Sequence, residues 1–170
     1  MDKIADRVAA WKAMGDSLAA YFYLYIIHVL KVIDENSTFE RERTEDLLRQ
    51  CSEKARHLRN RKRSIEWLGE GNDMRRLIHF GELGGWDRDK DFIKDDSKLV
   101  RVKGYIHSIN GPEAGTIELL SCGLSVFFVP AKAKMKDREA GATKNHINVK
   151  VSFYLGFSYD GLRAWSVDEE

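Results

Sequence analysis

Leu99-Val-Arg-Val-Lys-Gly-Tyr-Ile-His-Ser-Ile109 is the stretch on which the fold turns. Val100, Val102, Gly104 and Ile106 alternate with Arg101, Lys103, Tyr105 and His107. A period of two places the first set on one side of an extended chain and the second on the other, so the stretch predicts a strand with one buried face. Downstream, Asn110-Gly-Pro112 is a turn signal. Residues 116–120 and 124–129 then read as two further strands around Ser121-Cys-Gly123. Residues 132–145 are polar and contain glycine, which predicts a loop or a short helix. Val149, Val151, Phe153, Leu155 and Phe157 resume the alternation against Lys150, Ser152, Tyr154 and Ser158. Tyr159-Asp-Gly161 is a hairpin signal, and residues 162–167 supply a last strand. Five short strands with one longer connection between the third and fourth match the spacing of a small OB-type barrel.

Upstream the period changes. Residues 2–33 contain no proline and are rich in helix formers, which predicts a helix with Gly15 as a point of breakage. From Leu18 to Leu30 this helix is apolar on every face and must be covered all round. One short partner helix is too little for that, so a homodimer through the helical half is expected. Only 14 uncharged residues separate Asp16 from Lys31, fewer than the roughly 20 of a membrane span. Burial in a bundle or dimer is the reading preferred over membrane association. Tyr21, Tyr25 and His28 fall on one stripe, readable as core with satisfied hydroxyls or as a pocket. Asn36-Ser-Thr38 offers a turn and cap, and Phe39, Leu47, Leu48, Cys51, Ala55 and Leu58 continue at roughly helical spacing, closing an antiparallel helical hairpin. Further helical segments are expected near residues 64–68 and 73–80.

The expected organisation is therefore α+β: a helical N-terminal hairpin or bundle over residues 1–80, a linker over 81–97, and a small five-stranded OB-like antiparallel barrel over 98–167. The linker expectation rests on its glycines and dense mixed charges. A hydrophobic fraction of 43% with 32% charged residues is that of a folded globular chain. Two distant cysteines, Cys51 and Cys122, suit free thiols in a reducing compartment rather than a disulfide scaffold. Acidic Asp2 and Asp6 stand where a signal peptide needs cations, so a cytoplasmic location is the expectation.

At this point Gly104-Tyr-Ile-His-Ser-Ile-Asn110 resembles the first strand of cold-shock domains. Ala114-Gly-Thr-Ile117 stands where that family has its first RNA-binding motif, and Ser125-Val-Phe-Phe-Val-Pro-Ala131 resembles the second. Asn148-Val-Lys-Val-Ser-Phe153 and Asp160-Gly-Leu-Arg-Ala-Trp-Ser-Val167 resemble the closing hairpin. The resemblance spans about 65 residues, none before residue 98. It implies an OB barrel that binds single-stranded nucleic acid on exposed aromatics. Ser108 replaces the family's first-strand tryptophan, Ala114 and Thr116 its phenylalanines, and Val129 its histidine; Phe127 alone keeps its ring.

A replacement face is available. Arg101, Lys103, Tyr105 and His107 share one side of the first strand, and Lys150, Ser152 and Tyr154 are expected to join them. Cations interleaved with rings suit phosphates and base faces; an ordinary solvated face has the same pattern. Lys132, Lys134 and Lys136 either extend such a surface or solubilise a loop. Residues 54–63 hold six cations in ten positions, including Arg59, Arg61, Lys62 and Arg63. These either complement a helix C-terminus or bind phosphate. Residues 98–170 carry 10 basic against 8 acidic side chains, and setting aside Asp168, Glu169 and Glu170 leaves an excess of five cations.

No catalytic, metal or cofactor signature is met. Asp87-Arg-Asp-Lys-Asp91 begins like a calcium loop, but Phe92 and Lys98 occupy the glycine and glutamate positions such a loop needs. The five histidines lack metal spacing. The arginine–histidine spacing of HEPN-type helical ribonucleases is not met either, Arg49 to His57 being too long and Arg75 to His79 too short. The expected function is binding of RNA or single-stranded DNA by a non-enzymatic protein. The alternative is an oligomeric adaptor whose barrel binds a protein or small ligand.

Overall fold

The computed structural model describes residues 18–35, 38–71, 75–120 and 122–170, in two compact units. The first half of the expected first helix, the Asn36-Ser37 turn, Asp73 and Ser121 lie outside these residues. The first unit runs up to Arg63 and includes Ser158–Gly161. The second comprises Ser64–Phe157 and Leu162–Glu170. Together they make an α+β chain in which two helices precede a closed five-stranded barrel with additional strands.

In the first unit, α1 (Leu18–Glu35) packs against α2 (Thr38–Lys54). Thr44, Leu47, Cys51 and Ala55 recur every three or four residues along the second helical segment, and all are buried. On α1, Ala20, Phe22, Tyr25, Ile26, Val29 and Val32 are each at most 1% exposed within a single chain. The expectation of a homodimer rested on this helix being too apolar for one chain to cover; one chain buries these six residues, while Leu18, Ala19, Tyr21, Tyr23 and Leu24 stay half-buried. Of the tyrosine stripe, Tyr25 and His28 are buried and Tyr21 is half-buried beneath Lys54. Tyr25 donates its hydroxyl to the carbonyl of Ser158, and burial pushes its ionisation well above the ordinary range. Phe22 meets Tyr159 edge-on at 4.9 Å, and Ser52 donates to Asp160 at 2.6 Å.

Cys51 is fully buried, and the loss of solvation pushes its thiol up to about 12, with Asp160 adding to the effect. At pH 8 roughly one molecule in ten thousand would carry the thiolate. A thiol reagent at that pH is expected to modify the half-buried Cys122 first, and Cys51 only after denaturant is added. Equal labelling of both in the folded protein would contradict the packing of α2.

α2 ends at Lys54, earlier than its cationic run suggested. Residues 55–63 form successive turns closed by bonds such as Leu58 N–H to Ala55 O and Arg63 N–H to Asn60 O. The two segments expected as further helices are strands. β1 (Glu66–Glu70) and β2 (Arg75–His79) form an antiparallel hairpin, with Trp67 opposite Ile78. Residues 66–69 are buried without alternation, a pattern that does not separate strand from helix locally. What decides it is an edge: Glu66 and Trp67 pair with Phe157 and Gly156. The expected linker is also structured. β3 (Trp86–Asp87) and β4 (Phe92–Ile93) make a small hairpin whose charged tip is held by Asp87 accepting the N–H groups of Asp89 and Lys90. Leu83, Phe92 and Ile93 join Trp67 and Ile78 in a buried cluster.

The barrel strands are β5 (Arg101–Ile109), β6 (Gly115–Leu119), β7 (Ser125–Phe128), β8 (Lys150–Ser158) and β9 (Gly161–Glu169). Their order around the barrel is β8-β5-β6-β7-β9, closed by β8–β9. All barrel pairings are antiparallel except β7–β9, where Phe127 pairs in parallel with Arg163. Counted from the first barrel strand this is the order 1-2-3-5-4, the Greek-key connectivity of an OB barrel. Ile106, Ile117, Val126, Phe153 and Leu155 fill its interior. No described helix is long and apolar enough to cross a membrane.

Candidate functional site

The face expected on β5 and β8 forms as an array. Arg101 stands opposite Tyr154, Lys103 opposite Ser152 and Tyr105 opposite Lys150, so these side chains share one side of the sheet. Most of their polar groups are already engaged. Arg101 donates to the Ser152 hydroxyl at 3.0 Å, to the Ser152 carbonyl at 2.7 Å and to the Ser166 carbonyl at 2.6 Å. Its guanidinium lies 4.8 Å over the Tyr154 ring and 3.3 Å from Asp168. Glu170 reaches Lys103 at 3.0 Å and Lys150 at 3.5 Å, and its bond to Lys103 holds its carboxyl below the usual range. His107 meets Glu118 at 3.2 Å, and Tyr154 donates to Asp96 at 3.4 Å. Tyr105 is the exposed ring of this face. The acidic residues set aside in the charge count therefore sit on the very cations that the count favoured.

Arg59, Arg61, Lys62 and Arg63 lie in the turns after α2. Arg61 donates to the carbonyls of Arg56 and Leu58 at 3.2 Å each, tying together the turns that follow the helix. Arg59, Lys62 and Arg63 are exposed.

Phe127 lies elsewhere, beside Arg163, which lines a pocket the sequence reading did not find. Leu162, Ala164 and Val167 point into the barrel, which turns Arg163 and Trp165 outward from β9. The indole of Trp165 is fixed by donation to Ser64 at 3.0 Å and by Trp67 and Trp86, each 5.5 Å away. The Arg163 guanidinium lies 3.8 Å over Trp165 and 5.6 Å from Phe127. Its Nε is buried with no hydrogen-bond partner, and the loss of solvation draws its pKa below the ordinary value, opposed by Asp91. Lys90, Lys132 and Lys134 complete the cationic lining of a pocket of about 310 Å3, which Phe92 and Trp165 also line. Lys132 pairs with Asp91 at 2.6 Å, and Lys90 stands 3.8 Å from Asp96.

No family model matches the chain. No curated protein matches it either. A solved structure described as "drosophila Unr CSD456" is similar over 66% of this chain at 17% identity, with a TM-score of 0.34. That match spans 56% of the other chain, just over half its length. The OB connectivity stated above rests on strand order and not on this likeness.

The chemistry available at the pocket is electrostatic and stacking. Among the described residues no three His, Cys, Asp or Glu side chains converge to hold a metal. The buried His146 resembles half of an acid–base pair with Asp137, but both its nitrogens are used. Nδ1 accepts the Thr143 N–H at 2.9 Å, so Nε2 carries the proton and donates to Asp137 at 2.7 Å. This arrangement ties down the β7–β8 connection and leaves no lone pair for a nucleophile. The sequence signal is partial: Arg163 and Trp165, a cation and a ring two residues apart on one strand, mark what β9 contributes to the pocket.

Proposed function

We propose that this protein binds single-stranded nucleic acid, RNA or DNA, on the outer side of β7 and β9. The observation that carries this reading is Arg163, whose guanidinium lies 3.8 Å over the Trp165 ring and 5.6 Å from the exposed ring of Phe127. A guanidinium fixed in this way is suited to phosphate, because its planar donor fork is already oriented. Lys90, Lys132 and Lys134 add sequence-independent attraction for the backbone. Phe127 is 40% exposed and Trp86 36%, enough open ring for the stacking that an unpaired base offers and a duplex withholds. In the same reading the exposed Arg59, Lys62 and Arg63 provide a second phosphate-binding surface on the first unit. The β5–β8 face is the weaker location, since Asp168, Glu170 and Glu118 already neutralise much of it.

Fluorescence anisotropy with a mixed-sequence single strand of about 12 nucleotides tests the proposal. Four engaged cations give a slope near −0.7 each on a logarithmic salt scale, so affinity should fall roughly fifty-fold between about 50 and 200 mM salt. Phe127→Ala should weaken binding by several-fold at either salt. No detectable binding at the lower salt, or an affinity indifferent to salt, would refute it.

A further inference from the structure

We propose that the pocket below β7 and β9 receives the terminal phosphomonoester of a nucleic acid strand, an inference that rests on the strand binding proposed above. Four cations, Lys90, Lys132, Lys134 and Arg163, face one concavity that also holds the single carboxylate of Asp91. Asp91 and Asp96 answer Lys132 and Lys90. Among the described residues, no carboxylate is paired with Arg163 or Lys134. A strand running through presents one monoanionic diester at a time and is better served by an open groove. A terminal monoester brings close to two negative charges and three acceptor oxygens to one point. Two cations without a paired carboxylate in one concavity fit that charge.

The ring contacts of Arg163 point the same way. Stacking 3.8 Å over Trp165 holds the guanidinium plane, and bidentate pairing with a phosphate needs that plane held. Burial of Nε leaves it without water as well as without a protein acceptor. A phosphate entering the pocket would therefore meet the terminal guanidinium nitrogens, Nε itself being closed to a water-sized group. Phe127, at the exposed edge of the same guanidinium, is available to the terminal base.

The test compares three strands of one sequence with an internal label: hydroxyl at both ends, phosphate at the 5′ end only, and phosphate at the 3′ end only. At least one phosphorylated strand is expected to bind about ten-fold tighter than the hydroxyl-ended strand. The preferred end identifies the polarity in which the strand enters. Arg163→Lys, which keeps the charge but loses the planar fork, should abolish the preference while retaining salt-dependent binding. Lys134→Met should reduce it. Binding of all three strands within about two-fold overturns the terminal-phosphate site and leaves single-strand binding standing. Failure of all three to bind at low salt overturns both.

Discussion

Replacing Trp67 by alanine is expected to lower the stability of the second unit by about 3–5 kcal/mol. The indole is 1% exposed and packs edge-on to Phe92 at 5.7 Å and against Trp165 at 5.5 Å. It also pairs through its backbone with both β2 and β8, so its side chain cannot withdraw without disturbing two strand contacts. Alanine therefore leaves a cavity bordered by Ile78, Leu83 and Ile93, residues that are themselves fixed in the cluster. For a unit of this size the thermal midpoint should fall by more than about 10 °C. Circular dichroism is the suitable readout, because fluorescence would change with the loss of an indole in any case. A loss below about 1 kcal/mol would mean that the β1–β4 segment does not pack on the barrel as described. The same variant removes the backing of Trp165, so its affinity for a single strand should decline even at temperatures where it remains folded.

Gly104→Ala is expected to be damaging for the opposite reason, excess volume. Gly104 lies where β5 pairs with β6 on one side and β8 on the other. A Cβ there would come within 2.4 Å of the Glu118 carbonyl oxygen and 2.6 Å of the Ile117 side chain. The first of these is backbone inside a sheet and cannot turn away. Overpacking of this kind costs about 3 kcal/mol, more than the 0.4–1 kcal/mol usually gained by reducing the freedom of the unfolded chain. Urea titration of Gly104→Ala beside Lys103→Ala is the direct comparison. Lys103 is half-exposed, and its truncation should stay within about 0.5 kcal/mol of the parent. Equal midpoints for the two variants would show that the β5–β6 register is wrong.

Both residues bear on the pocket through the same geometry. Trp67 supports Trp165 from behind, and Gly104 permits the close pairing that lets the barrel curve shut. Closure brings β9 alongside β7, and with it Arg163 alongside Phe127. Loss of either residue should therefore reach the pocket without touching any ligand.

The sequence by itself determined the barrel strands and the helical hairpin, because both are written in local periods. Val102, Gly104 and Ile106 alternate with Lys103, Tyr105 and His107, and such alternation has one extended solution when one side is buried. The apolar run of α1 likewise admits little but a covered helix. That Arg101, Lys103 and Tyr105 share one side of β5, and Lys150 and Tyr154 one side of β8, was legible for the same reason; that the two sides adjoin was decided by the long-range pairing of β5 with β8.

Tertiary structure alone decided the rest. Residues 66–69 are buried on both faces and became a strand only because β8 offered Gly156 and Phe157 as partners. Leu83, Phe92 and Ile93 were hidden among linker charges that turned out to sit on a hairpin tip. Whether Arg101 was free or engaged depended on the path of β9, which returns Asp168 and Ser166 to it from more than 60 residues away. The pocket draws Lys90, Lys132 and Arg163 from three distant segments. No period in the chain records such a meeting, because it is produced by closure of the barrel.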